Sequence, residues 1–260
     1  MGQGPWTNMS LLIEDLLAVP QPRLYGQPMT RFDVAALEDF YSRLSAEEGV
    51  SIDAFQTELR NLFCRERSPN DINDFRLSKA PWKKLADEIV PVSKYLQLHH
   101  IESERILFPL NDQVPDAWLW RDNEAEPIGI EVTIAQGTER FHLAKELVAE
   151  GIGRGFLGLS DDDHPAEFHR RMENPRTMFT ATAALKSVKK GILRCLSQKD
   201  KPRYEGFILI IQAPMSSLSQ DRWTSIQPDL RIAAAELPFR AVYVISTSAD
   251  RPWGFELKAQ

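Results

Sequence analysis

The sequence predicts an α/β protein, with a central mixed β-sheet flanked by helices and an N-terminal helical region ahead of it. Three observations predict this. Apolar residues recur at helical spacing from Thr30 to His100. Ile128-Gly-Ile-Glu-Val-Thr-Ile-Ala alternates in the manner of a half-buried strand. Phe207-Ile-Leu-Ile-Ile-Gln is an unbroken apolar run of strand length, the texture of a buried central strand.

Leu11 to Val19 predicts a short helix, and the prolines and glycine of Pro20–Pro28 an irregular linker. Asp33 is placed to cap a helix carrying Leu37, Phe40, Tyr41 and Leu44 on one face. Ser51 caps the next, with Phe55, Leu59, Leu62 and Phe63 at helical spacing. Asn70 or Asp71, and then Pro81, punctuate two more, the last running from Trp82 toward Leu98. After His100 come three strands: Arg105 to Leu110, Ala117 to Trp120 and Ile128 to Ala135. A helix over Glu139–Glu150 follows, then a loop rich in glycine and acids from Gly151 to Pro165, then a long helix from Pro175 to Leu196. The strand at Phe207, a helix over Asp221–Glu236 broken at Pro228, a buried strand over Arg240–Ser246 and an edge strand at Phe255 complete the chain. This order divides it into a helical region, 1–100, and an α/β core, 101–260.

Composition narrows the function classes. Hydrophobic residues make up 43% of the 260, enough for a packed core. No apolar run is long enough to span a membrane, and Met1 to Ser10 lack the basic start of a secretory signal. Cys64 and Cys195 lie far apart without CxxC spacing, so the expected compartment is the reducing cytoplasm. The formal net charge is −6, which argues against a protein that coats nucleic acid. Between Pro165 and Glu205, however, ten Lys and Arg stand against four Asp and Glu. Such a basic segment suits a face that meets a polyanion, or simply a solvated helix.

Two acids carry the chemistry. Asp116 follows Pro115 at the start of the second strand, and Glu131 lies inside the third between Ile130 and Val132. A carboxylate in an apolar strand is costly unless paired. A hairpin between these strands would bring the two acids together, and a divalent cation relieves their repulsion. Hard oxygen ligands point to Mg²⁺ or Mn²⁺.

Pro115-Asp116 and, fifteen positions on, Glu131-Val132-Thr133 resemble the signature of the PD-(D/E)XK, or restriction-endonuclease-like, nuclease superfamily. The resemblance covers roughly His100 to Ser246. It implies that Asp116 and Glu131 hold the metal with the Val132 carbonyl, and that Glu102 or Glu104 is an accessory acid. It also implies a metal-dependent endonuclease acting on DNA, ahead of RNA, and a homodimer. Thr133 stands where the family places its lysine. The candidates to replace that lysine are Gln136, Lys145, and Lys186 or Lys189. Lys186, Lys189, Lys190 and Arg194 are the expected nucleic-acid contacts. The competing expectation is a nuclease fold that no longer cuts and serves as a nucleic-acid- or protein-binding component of a defence or mobile-element system. A third is a plain α/β protein in which Glu131 forms a structural ion pair.

Other signals carry less. His99 and His100 fit a helix C-terminus, and His164 and His169 an exposed acidic loop. The glycines from Gly151 to Gly158 follow a helix, which excludes a P-loop and suggests a flexible loop over the active face. Trp118 and Trp120 read as core.

Overall fold

The computed structural model describes residues 30–101, 104–121, 124–176, 178–215, 218–247 and 253–259, so the helix expected at Leu11–Val19 and its linker lie outside the described residues. Beyond β1 (Arg31–Phe32), the Asp33 carboxylate accepts from the Ala36 N–H at 3.1 Å and starts α1 (Val34–Leu44). Ser51, at the end of β2 (Val50–Ser51), caps α2 (Ile52–Phe63) in the same way. β3 (Glu66–Arg67) pairs in parallel with β1. The cap of α3 (Pro69–Arg76) is Ser68, not Asn70 or Asp71: Pro69 takes the first helical position, which leaves the Asp71 N–H facing the Ser68 hydroxyl at 3.1 Å. α4 (Trp82–Lys84) runs through a π-helical turn, Leu85–Ile89, into α5 (Val90–Leu98). Pro91 has no N–H for the preceding turn, and the helix widens just before it.

β4 (Arg105–Leu107), β5 (Ala117–Trp120) and β6 (Ile128–Ile134) form an antiparallel meander. β4 stops at Leu107, short of the expected Leu110, because Pro109 cannot donate to a ladder. Then α6 (Gly137–Glu150), α7 (Pro165–Glu173) and α8 (Ala181–Gln198) cross over to β7 (Ile208–Ala213), parallel to β6. α7 was hidden by its proline start and short apolar face. α8 begins at Ala181 instead of Pro175, because the Thr180 hydroxyl supplies its cap. α9 (Gln220–Thr224) and α10 (Gln227–Ala235), separated next to Pro228, lead to β8 (Ala241–Ser246), parallel to β7, and β9 (Gly254–Lys258) closes the edge antiparallel. The seven-stranded mixed sheet has the order β2-β4-β5-β6-β7-β8-β9.

The sheet is covered on both faces. Ile130, Val132, Ile208 and Ile210 belong to one hydrophobic cluster with Phe40, Phe55, Val92 and Leu96 of the N-terminal helices, so residues on either side of position 100 share a core. Leu209, Ile211, Val242 and Val244 face the other way, under Val188, Ile192 and Leu230 of α8 and α10. No described helix is long and apolar enough to cross a membrane.

The glycine-rich loop after α6 is pinned, not free. Leu157 and Leu159 are buried with Phe168, and the buried Glu139 carboxylate accepts from the Leu159 N–H at 3.0 Å. Burial, followed by the Asp161 charge, pushes Glu139 up to about 7 against the pull of the backbone N–H groups of Leu157, Gly158 and Leu159. The folded chain thus holds this proton more tightly than the unfolded chain. The associated stability is complete below about pH 4.5 and is lost as the pH rises through about 7. Denaturant unfolding across this window should show stability falling with pH in the wild type and a shallower fall in Glu139→Gln. Equal slopes would show that Glu139 does not titrate as described.

Candidate active site

The register of the meander brings the two acids together. Ala117 pairs with Ile130 and Leu119 with Ile128, so one step further Asp116 stands opposite Glu131. The Val132 N–H points across toward β5, where it donates to Asp116 Oδ2 at 2.7 Å. The ladder-bonded positions of β6 are therefore Ile128, Ile130 and Val132. Asp116 and Glu131 form the intervening non-bonded pair, in which side chains sit closest. Strand alternation sends both to the α8 side of the sheet. The ladder ends at Ala117, and two residues before it stands Pro115. Proline has no N–H, so the Val132 carbonyl, which points the same way as its N–H, loses its ladder donor.

Glu131 has a side-chain exposure of 5%, and Lys199, just past the end of α8, is ion-paired with it through Oε1. The second oxygen, Oε2, is buried without a hydrogen-bond partner. Burial, then the charges of Glu131 and Glu88, push Asp116 up to about 7, against the Val132 N–H and Lys199. Burial pulls the Lys199 ammonium down, but its hydrogen bond and charge interaction with Glu131 outweigh this and the net shift is upward.

α8 runs antiparallel to β6 and in step with it. A Cβ built on Gly191 would lie 3.5 Å from Ala135, the Thr133 hydroxyl reaches Cys195 Sγ at 3.8 Å, and Lys199 meets Glu131. Four helical residues rise about 6 Å and two strand residues about 6.6 Å, so the two ladders match. Thr133 is small because α8 lies directly over it. The helix brings the amine that this strand position lacks.

A second tier comes from the π-helical turn. Glu88 is held by Lys84 at 2.9 Å, and Lys84 also donates to the Asn111 carbonyl at 2.6 Å. Burial raises Glu88; Lys84 opposes this, while Asp87 and Glu131 add to it.

The other expected residues lie elsewhere. Glu104 pairs with Arg121 at 3.5 Å, beyond the far end of β5, about 17 Å along the strand from Asp116. Glu102 lies outside the described residues. Gln136 is buried and donates to the Leu159 carbonyl at 3.2 Å and to Ser187 at 2.9 Å, and Lys145 is exposed on α6. Neither is brought to the acids. Lys189 pairs with Asp229, and Arg194 with Asp161 at 3.0 Å and with Asp162, while Lys186 and Lys190 are exposed. His99 packs against Tyr95 and Tyr243, His164 caps α7, and Trp118 meets Phe207 edge-on. Lys199, Glu88 and Lys84 escaped the sequence reading. Only the helix-to-strand step just described would have found Lys199.

Among the described residues no three His, Cys, Asp or Glu side chains converge into a ready cage. Two carboxylates, one with an orphaned buried oxygen, and a ladder-free carbonyl nevertheless fit Mg²⁺ or Mn²⁺. Mg²⁺ is commonly held by one or two carboxylates, with water and substrate oxygens completing its shell. Comparison with family models, curated proteins and solved structures finds no match.

Without metal, Lys199→Met should destabilise the protein by about 2–3 kcal/mol at pH 7, somewhat below the 3–5 kcal/mol of a fully buried pair. Adding Glu131→Gln should restore most of it. Urea unfolding in EDTA measures both, and a loss below about 0.5 kcal/mol for Lys199→Met would contradict a buried pair.

Proposed function

We propose that the chain is a metal-dependent nuclease of the restriction-endonuclease-like kind that hydrolyses phosphodiester bonds of DNA. The observation that carries this reading is the face-sharing Asp116–Glu131 pair, with Lys199 on Glu131 and the Val132 carbonyl freed by Pro115. A plain structural ion pair would need Lys199 and Glu131 alone. It would not call for a second carboxylate driven up to about 7 beside them.

In this reading Asp116, Glu131 and the Val132 carbonyl hold the cation. When bound, it neutralises the carboxylates and draws charge from the phosphate oxygens. Lys199 orients the attacking water and meets the negative charge that builds on the phosphate. In the metal-free site burial raises the Asp116 carboxyl to about 7, and a cation held there would favour its charged form, the proton passing to solvent. Glu88 and Lys84 flank the pair with opposite charges, and Lys186 and Lys190 are the free cations of α8 that approach phosphates.

One observation favours a second reading, a nuclease fold that binds without cutting. Lys199 already supplies Glu131 with a counter-charge, as a cation would.

Cleavage of DNA and RNA with Mg²⁺ or Mn²⁺ tests the first reading. Asp116→Asn and Glu131→Gln should abolish cleavage and remove any metal-dependent rise in melting temperature. Lys199→Ala should slow cleavage by about 10²–10³-fold while keeping that rise. Lys145→Ala should leave both unchanged. Metal stabilisation without cleavage of any substrate would support the binding role. Neither effect in folded protein would sink both metal readings.

In a DNA-binding titration against salt, Lys186→Ala combined with Lys190→Ala should lower the slope of log K against log salt by about 2. An unchanged slope would exclude this face as the contact.

A further inference from the structure

On the opposite face of the sheet from the two acids lies a cavity of about 160 Å³, open on one side, at the C-terminal ends of β6 and β7. Phe75, Val90, Ile134 and Leu147 supply its apolar walls. A dry cavity of about 150 Å³ accepts a benzene ring, so this one has room for a planar ring whose remainder lies at the mouth.

One available carboxamide interrupts the apolar lining. Gln212, opposite Ile134 in the sheet, is 4% exposed and makes no side-chain hydrogen bond among the described residues. Gln136 also borders the cavity, but its amide is turned to Leu159 and to Ser187 of α8, and its Oε1 is sealed from the cavity. Buried polar groups are almost always satisfied, and leaving one bare costs about 1–3 kcal/mol. Three of the charged groups around it are already committed. Arg140 is bonded to Asp87 at 2.8 Å, Arg154 to Glu146 at 2.9 Å, and Glu139 to the loop backbone. The cavity is thus matched to a planar molecule that offers what the Gln212 amide lacks.

We propose that this cavity binds an aminated nucleobase, a flat ring with an exocyclic amine beside a ring-nitrogen acceptor. A free glutamine amide pairs with such an edge through two hydrogen bonds, Oε1 accepting from the amine and Nε2 donating to the ring nitrogen. Gln212 takes that role. The apolar walls pack on the ring faces, as in pockets that hold an unstacked base. Nothing in this cavity depends on a cation at Asp116 and Glu131.

Calorimetric titration of the full chain with adenine and cytosine, and with hypoxanthine and uracil, tests the proposal. The second pair carries a carbonyl where the first carries the amine. Adenine or cytosine should bind at one molecule per chain, and its carbonyl counterpart at least about tenfold more weakly. Gln212→Leu should weaken binding at least about tenfold, and Ala144→Leu, which fills the cavity from another wall, should block it. Glu131→Gln should bind as the wild type does, which separates this site from the cleavage reading. No binding of any base at millimolar concentration would overturn the proposal. So would equal binding of amine and carbonyl forms, or undiminished binding by folded Gln212→Leu and Ala144→Leu proteins.

Discussion

The constraint on which the site depends is the charge of Glu131. It sits on the central strand β6, flanked by Ile130 and Val132 and beneath α8. Moving a carboxylate there costs several kcal/mol unless a counter-charge accompanies it. Lys199 supplies that charge from just beyond the last turn of α8, so the length of the helix and its register on the strand cannot vary independently. A helix one turn shorter would carry the amine about 5.4 Å away from the carboxylate. The small residues beneath α8 serve the same requirement. Gly191 over Ala135 and Cys195 over Thr133 let the helix lie close enough for Lys199 to reach down.

This explains which parts of the site could be read from the sequence. Asp116 and Glu131 are legible because their signals are local: a glutamate inside an Ile/Val run, and an aspartate after a proline at the start of a strand. α1 and α2 were legible for the same reason, through Asp33 and Ser51. Lys199 was not, because nothing near it in sequence distinguishes it from Lys201 or Arg203. Its role is created by a pairing across 68 positions. The proximity in sequence that favoured Lys145 misleads, since α6 turns that side chain to solvent while the more distant α8 covers the strand. Ser68 and Thr180 do not stand out as caps, because an Asx residue and a proline nearby offer competing helix-start signals. α7 carries a single buried apolar residue, Phe168, too little to register as a periodic face.

The π-helical turn gives the N-terminal helices a part in this architecture. Three consecutive residues in it meet three surroundings. Ala86 lines the cavity on one face of the sheet, Asp87 bonds to Arg140 at its rim, and Glu88 is coupled to the acids of the other face. An ordinary turn ahead of Pro91 would leave a carbonyl without its donor. The widened turn absorbs that defect and spreads these side chains around the helix. The N-terminal helices therefore do more than cover hydrophobic sheet. They deliver charged groups to both sides of it.

Charge counted along a chain is not charge presented to a partner. The segment from Pro165 to Glu205 looked strongly basic, yet much of it is spent within the fold. Arg170 and Arg171 hold Glu167, Arg176 holds Glu150, Lys189 holds Asp229, and Arg194 holds the Asp161–Asp162 turn that caps α6. Lys199 is taken by Glu131. What is left to face solvent on α8 is chiefly Lys186 and Lys190, a narrow stripe on a protein of net charge −6. A polyanion held by so few cations at physiological salt would be held weakly, since each phosphate neutralised adds only one step to the salt dependence. On the proposed nuclease reading, residence on nucleic acid would depend less on the basic helix than on what the acidic site engages, and the cation status of Asp116 and Glu131 would decide binding as well as chemistry.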